Sequence, residues 1–175
     1  MPDEAGSDRI PADGGVVPGL YWGVRGSFVR YVLGNPDGQL YGDDGVETDG
    51  EGTFRFPLSS VEHEGEDWLL SFRGEVAFAA HGGLLAVRIA QPILELRGGD
   101  GTLSVRRGAE YVVIARVRAA QPVAVDDAWL VFPPLPAALT AEGVSLFGDV
   151  YAEGDGLDPL RIALPASSAT PEASA

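Results

Sequence analysis

From Phe54 onward the chain runs in short stretches of alternating apolar and polar residues, each closed by glycine or an Asp-Gly pair. Phe54 and Phe56 alternate, as do Trp68, Leu70 and Phe72, and then Val76, Phe78 and Ala80. Leu85, Val87 and Ile89 follow, then Leu94 with Leu96, Leu103 with Val105, and Tyr111, Val113, Ala115 and Val117. A period of two places alternate side chains on one face of a strand, and tight glycine turns join neighbouring strands antiparallel. A helical bundle or a doubly wound parallel sheet needs other periods and longer connections. The expected fold is therefore mainly β, a β-rich α+β domain with an antiparallel, sandwich-like sheet. Ala128–Phe132 and Asp158–Leu164 are expected as further strands, and Thr140–Tyr151 as a short helix or a turn.

One segment breaks the pattern. Leu20, Val24, Phe28, Tyr31 and Val32 stand three and four apart, the spacing of an amphipathic helix over about 20–33. Pro18 suits its start, and Gly34-Asn35-Pro36 its end. Gly23 and Gly26 each cost about 1 kcal/mol of helix propensity, which points to close packing against a flat surface.

The polar residues 1–17 and the Ala/Ser/Pro-rich residues 165–175 read as disordered flanks of one folded unit at 18–164. The net charge is −14, and all 12 basic residues are arginine, so phosphate-rich partners such as nucleic acid are disfavoured. The chain has no cysteine, which excludes disulfides, thiolate catalysis and thiolate-bound metal clusters. Its first residues, Met-Pro-Asp-Glu-Ala-Gly-Ser-Asp, do not read as a secretory leader. Two expectations follow: an internal protein, or a domain of a longer exported precursor.

Few residues offer chemistry. His63 lies among Glu62, Glu64, Glu66 and Asp67, and is expected in a solvated loop. No Gly-x-Ser-x-Gly elbow or His-Glu-x-x-His pair is present. Asp43-Asp44 and Asp126-Asp127 read as turns. No nucleophile or acid–base set emerges, so the chain is not read as an enzyme. Ser27 and Tyr31, four apart on the expected helix, share a face. His81, before Gly82-Gly83, closes a strand in a tight turn, as either a structural cap or a group that orients a ligand. Tyr151 lies in a turn-rich stretch that ends at Leu157-Asp-Pro-Leu160.

Taken in order, Trp22-Gly-Val-Arg-Gly-Ser-Phe-Val-Arg-Tyr31, the strand and Phe-x-x-His-Gly-Gly around His81, and Tyr151 through Leu160 resemble the HtaA family of haem-binding domains. Gly52–Pro57 and Ile89–Leu94 are similar to its Gly-x-Phe-x-Phe and proline-containing strands. The resemblance implies a β-sandwich-like domain that takes haem at the surface of high-GC Gram-positive bacteria. Tyr31 then corresponds to the axial ligand of ferric haem b, and His81 to the histidine hydrogen-bonded to that phenolate. Ser27 and Tyr151 correspond to polar residues near the propionates, with Val24, Phe28 and Phe78 as porphyrin contacts. Haemoproteins, other haem-binding surface proteins and a haem transporter are the implied partners, and the implied location is cell-surface or secreted. The chain departs from the family at Ala79-Ala80, where a small polar residue and glycine are common, and in Gly148-Asp149-Val150 before Tyr151, where an aromatic neighbour is usual.

The competing expectation is a non-catalytic adhesion or carbohydrate-binding module, with Trp22, Trp68 or Trp129 as stacking platforms.

Overall fold

The computed structural model describes residues 17–49 and 52–169. The segment expected to be disordered at 1–17 lies, save for Val17, outside the described residues, as does the end of the tail. Pro165 is still part of a strand and Ala166–Ala169 form a 3-10 turn, tied back through the Ala166 N–H to the Ala128 carbonyl at 2.9 Å.

The strands are β1 (Gly19–Trp22), β2 (Gln39–Asp43), β3 (Glu47–Thr48), β4 (Phe54–Glu64), β5 (Asp67–Phe72), β6 (Glu75–Ala80) and β7 (Leu85–Ala90). They continue with β8 (Ile93–Arg97), β9 (Asp100–Arg107), β10 (Glu110–Arg118), β11 (Val123–Val125), β12 (Trp129–Val131), β13 (Leu135–Leu139) and β14 (Gly156–Pro165). Among the described residues two α-helices interrupt them, α1 (Gly26–Gly34) and the short α2 (Ala141–Leu146). None of the described helices is long and apolar enough to cross a membrane.

Among the described residues every strand pairing is antiparallel, as the tight turns between alternating runs lead one to expect. The order β1-β4-β5-β8-β9-β10-β13-β14 closes on itself, because β14 also pairs with β1. Closure satisfies the backbone groups that an open edge would leave unpaired. The long strands β4 and β14 make the corners. β4 pairs with β1 through Phe54–Pro57 and, from Leu58 on, with β5 across a register shift at Leu58/Ser60. Strands β2, β6 and β7 form a separate three-stranded sheet, on which α1 packs.

Three sequence expectations change. Residues 19–22 form a strand, not the first turn of a helix: Leu20 and Trp22 are both fully buried with Tyr21 between them, so the local period is two. In β10 the alternation inverts. Tyr111 and Val113 are exposed while Ile114, Ala115 and Val117 are buried, because a register shift at Val113/Ala115 moves the following residues to the other face. His63, expected in a solvated loop, belongs to β4 and stacks on Trp68 at 3.7 Å between ring centroids.

Candidate functional site

Helix α1 is entered through an unusual backbone. Val24 has φ of 62°, a costly value for a β-branched residue, and is fully buried. Strand β14 holds it there. The Asp158 N–H donates to the Val24 carbonyl at 2.9 Å, and the Trp22 indole N–H donates to the Asp158 carbonyl at 2.7 Å. The Asp158 carboxylate in turn accepts the Gly26 N–H at 3.1 Å. Arg25, at the N-cap, offers no side-chain acceptor, so a residue from a distant strand supplies the cap. A side chain at position 23 would put its Cβ 2.4 Å from the Asp158 carboxylate, which accounts for Gly23.

The inner face of α1 presents Phe28, Val29 and Val32, all buried. Phe28 meets Phe78 of β6 edge-to-face at 5.2 Å and Phe147 at 5.1 Å. Such contacts add about 1 kcal/mol each beyond simple burial. Val24, Phe28 and Phe78, expected as porphyrin contacts, thus lie inside the core with at most 2% of their surface exposed. They form the support under the helix and show no face to solvent.

Tyr31 stands on the other side of α1 and is 53% exposed. Its hydroxyl lies 2.6 Å from His81 Nε2. When that nitrogen is unprotonated, the phenol donates to it. His81 opens the 3-10 turn His81–Gly83 that leads from β6 to β7. Both His81 and Gly82 are left-handed, with φ of 58° and 65°. For a residue with a Cβ this costs about 1 kcal/mol, whereas the glycine adopts it freely. The Asp37 carboxylate, from the loop between α1 and β2, bridges the turn by accepting the His81 N–H at 3.2 Å and the Gly82 N–H at 2.7 Å. The Gly82 N–H first, and the His81 N–H second, hold the Asp37 carboxyl below its ordinary value.

Ser27 is exposed one turn before Tyr31, and its Oγ accepts Arg25 Nε at 3.3 Å. The Arg25 guanidinium lies 4.2 Å from the centre of the Tyr151 ring and also donates to the Gly156 carbonyl. Tyr151 rests against Phe147 at 6.0 Å. Two pairs of the expected residues are thus within reach of each other, Tyr31 with His81 directly and Ser27 with Tyr151 through Arg25. Sequence reasoning missed three residues that arrange them: Asp158, Arg25 and Asp37. Asp158 stood in the Leu157-Asp-Pro-Leu160 stretch, and Arg25 in the segment from Trp22 to Tyr31. Only pairing register reveals Asp37.

Chemically, the arrangement offers an accessible phenol oxygen beside an imidazole able to accept its proton. Leu84, which follows the turn and is 92% exposed, and Val150, beside Tyr151 and 67% exposed, add apolar surface. Among the described residues no group of three or more His, Cys, Asp or Glu side chains is placed to hold a bare metal ion. A cleft of about 670 Å³ lined by His63, Glu64, Asp67, Glu95 and Arg97 shares no residue with the Tyr31 group. Trp22 and Trp68 are 0% and 3% exposed, which removes both as stacking platforms.

The family model for HtaA, described as Htaa, matches residues 19–163. No curated protein matches this chain. Among solved structures, the C-terminal domain of HtaA from Corynebacterium glutamicum is similar, with 24% identity and a TM-score of 0.72 over 85% of this chain and 97% of that one. The N-terminal domain of the same protein gives 24% identity and a TM-score of 0.67, covering 84% and 95%. The haem-binding protein HtaB of that organism gives 22% and 0.61, covering 83% and 91%.

Proposed function

Because the chain belongs to the HtaA family, we propose that it is a haem-binding module that captures ferric haem b through Tyr31 and passes it on for iron uptake. The observation that carries this reading is the 2.6 Å hydrogen bond between an exposed phenol and His81 Nε2. Haem is here the cargo, and it brings a hard Lewis-acidic iron(III) with two anionic propionates. A hard cation favours a phenolate donor, and tyrosine is a known haem ligand.

The protein's own groups do the rest. An ordinary phenol keeps its proton near neutrality. His81 takes up or shares that proton at Nε2, which raises the donor strength of the Tyr31 oxygen without occupying the iron. Ser27, Tyr151 and the Arg25 cation form the polar side of the site, suited to carboxylates. With the whole chain's net charge of −14 resisting a dianionic ligand, a local cation is useful there. Phe28, Phe78 and Val24 hold the floor rigid, and exposed apolar side chains supply contact with the macrocycle.

The chain acts as a binding and relay module, not as an enzyme. Its place is the cell surface or the secreted fraction of a Gram-positive bacterium, with haemoproteins or haem-binding surface proteins upstream and a transporter downstream. Since phenolate favours ferric over ferrous iron, one-electron reduction by an external donor would loosen the bond and promote transfer. The test is titration of the purified protein with hemin, followed by dithionite. A one-to-one complex with tyrosinate charge-transfer bands, released faster after reduction, supports the reading; absence of saturable binding overturns it.

A further inference from the structure

Asp37 is placed by strand register. In the β2–β6 ladder Gln39 pairs with Ala79, Leu40 with Phe78 and Tyr41 with Ala77. Continuing that antiparallel register two residues past Gln39 sets Asp37 opposite His81. There the two consecutive left-handed residues, His81 and Gly82, turn their N–H groups toward one side and form a small anion-binding concavity. The Asp37 carboxylate fills it with both oxygens, Oδ1 on His81 and Oδ2 on Gly82. Two residues earlier, the Asn35 side-chain amide donates to the Tyr31 carbonyl at 2.8 Å. The loop Asn35–Gly38 therefore holds the ligand's helix with one side chain and the histidine's turn with another.

We propose that Asp37 is a positioning residue for haem binding: it fixes the His81 turn so that the imidazole meets the Tyr31 oxygen. The inference rests on the haem-binding reading given above, but its structural half does not. A left-handed His81 is unfavourable unless something selects it, and a charge-assisted pair of backbone hydrogen bonds selects it. Without the carboxylate the turn relaxes, the imidazole leaves the phenol, and Tyr31 becomes a weaker donor. Asp37 acts on haem only through His81.

A double-mutant cycle with two readouts tests this. In the hemin-free protein, Asp37→Ala should abolish the nuclear Overhauser contacts between the Tyr31 and His81 rings while leaving the remaining spectrum dispersed. Loaded with hemin, it should lose hemin to a scavenger roughly tenfold faster than wild type, as is usual when a group supporting a metal ligand is removed. In a His81→Ala background the same change should have no further effect, because its route is already cut. Asp37→Asn, which keeps one acceptor oxygen, should lie between wild type and Asp37→Ala and serves if Asp37→Ala does not fold. Equal and independent rate increases in both backgrounds, or ring contacts that persist in Asp37→Ala and Asp37→Asn, would overturn the proposal. If wild type fails to bind hemin at all, the haem reading falls, and the ring contacts alone decide the role of Asp37.

Discussion

The Asp158 carboxylate accepts the Gly26 N–H at 3.1 Å across a sequence separation of 132 residues, so the helix bearing Tyr31 is capped by the last strand of the barrel. The ligand helix and barrel closure are thereby one structural unit. Asp158→Ala should lower stability by roughly 1 kcal/mol, the usual value of a helix cap. For a domain of this size that is about 2–4 °C in Tm. Asp158→Asn, which retains an acceptor oxygen, should recover most of it. Thermal unfolding of the three proteins checks this; an unchanged Tm for Asp158→Ala contradicts it.

Removing the Phe28 ring should cost more. The side chain is 2% exposed and meets two other rings, so Phe28→Ala leaves a cavity and should destabilise by about 3–5 kcal/mol in urea unfolding. Phe28→Leu, which refills most of the volume, should cost under half of that. A loss below 1 kcal/mol for Phe28→Ala would show that α1 is not anchored through this residue.

The Asp37 clamp has a pH signature. Its carboxyl is held below the ordinary value of 3.8 by the Gly82 and His81 N–H groups. A depressed acid contributes its full stabilisation above the unfolded-state value and loses it as pH falls through the folded-state value. The hold that the Asp37 carboxylate has on the His81–Gly83 turn should therefore be complete above about pH 4 and be lost only below that. The Gly82 amide resonance, followed by NMR from pH 7 to pH 2, reads this directly. A midpoint above 4 would reverse the sign of the effect.

The antiparallel fold was legible in the sequence because alternation and glycine turns are local signals. The adjacency of Tyr31 and His81 was also legible, through the order of the motifs around them. What was not legible depended on contacts between distant segments. Leu20 suits a helical stripe with Val24 and Phe28 as well as a strand with Trp22, and only pairing with β4 and β14 decides between them. The inversion in β10 needed a bulge that Val113-Ile114-Ala115 does not announce. Nothing in the local sequence marks Asp37 or Asp158 for the roles they take. Each acquires its role from a partner, 45 residues away for Asp37 and Gly82 and 132 for Asp158 and Gly26.

His81→Ala separates ligand from helper. If His81 only supports the Tyr31 oxygen, the variant should still bind hemin, with a shifted spectrum and faster loss, roughly tenfold or more. Stopped-flow transfer to a scavenger measures the rate. A histidine-ligated spectrum in wild type that disappears in His81→Ala would assign the iron to the imidazole instead.

The central claim is that the Tyr31 oxygen is the iron ligand, and Tyr31→Phe isolates it by deleting one oxygen atom while keeping the ring. Because the side chain is 53% exposed and its hydroxyl bonds only to His81 among the described contacts, stability should change by less than about 1 kcal/mol. Hemin titration of wild type and Tyr31→Phe, followed by absorption, should show the tyrosinate charge-transfer bands only in wild type and a loss of affinity of at least a hundredfold in the variant. Equal affinity and an identical spectrum in the two proteins would contradict the claim.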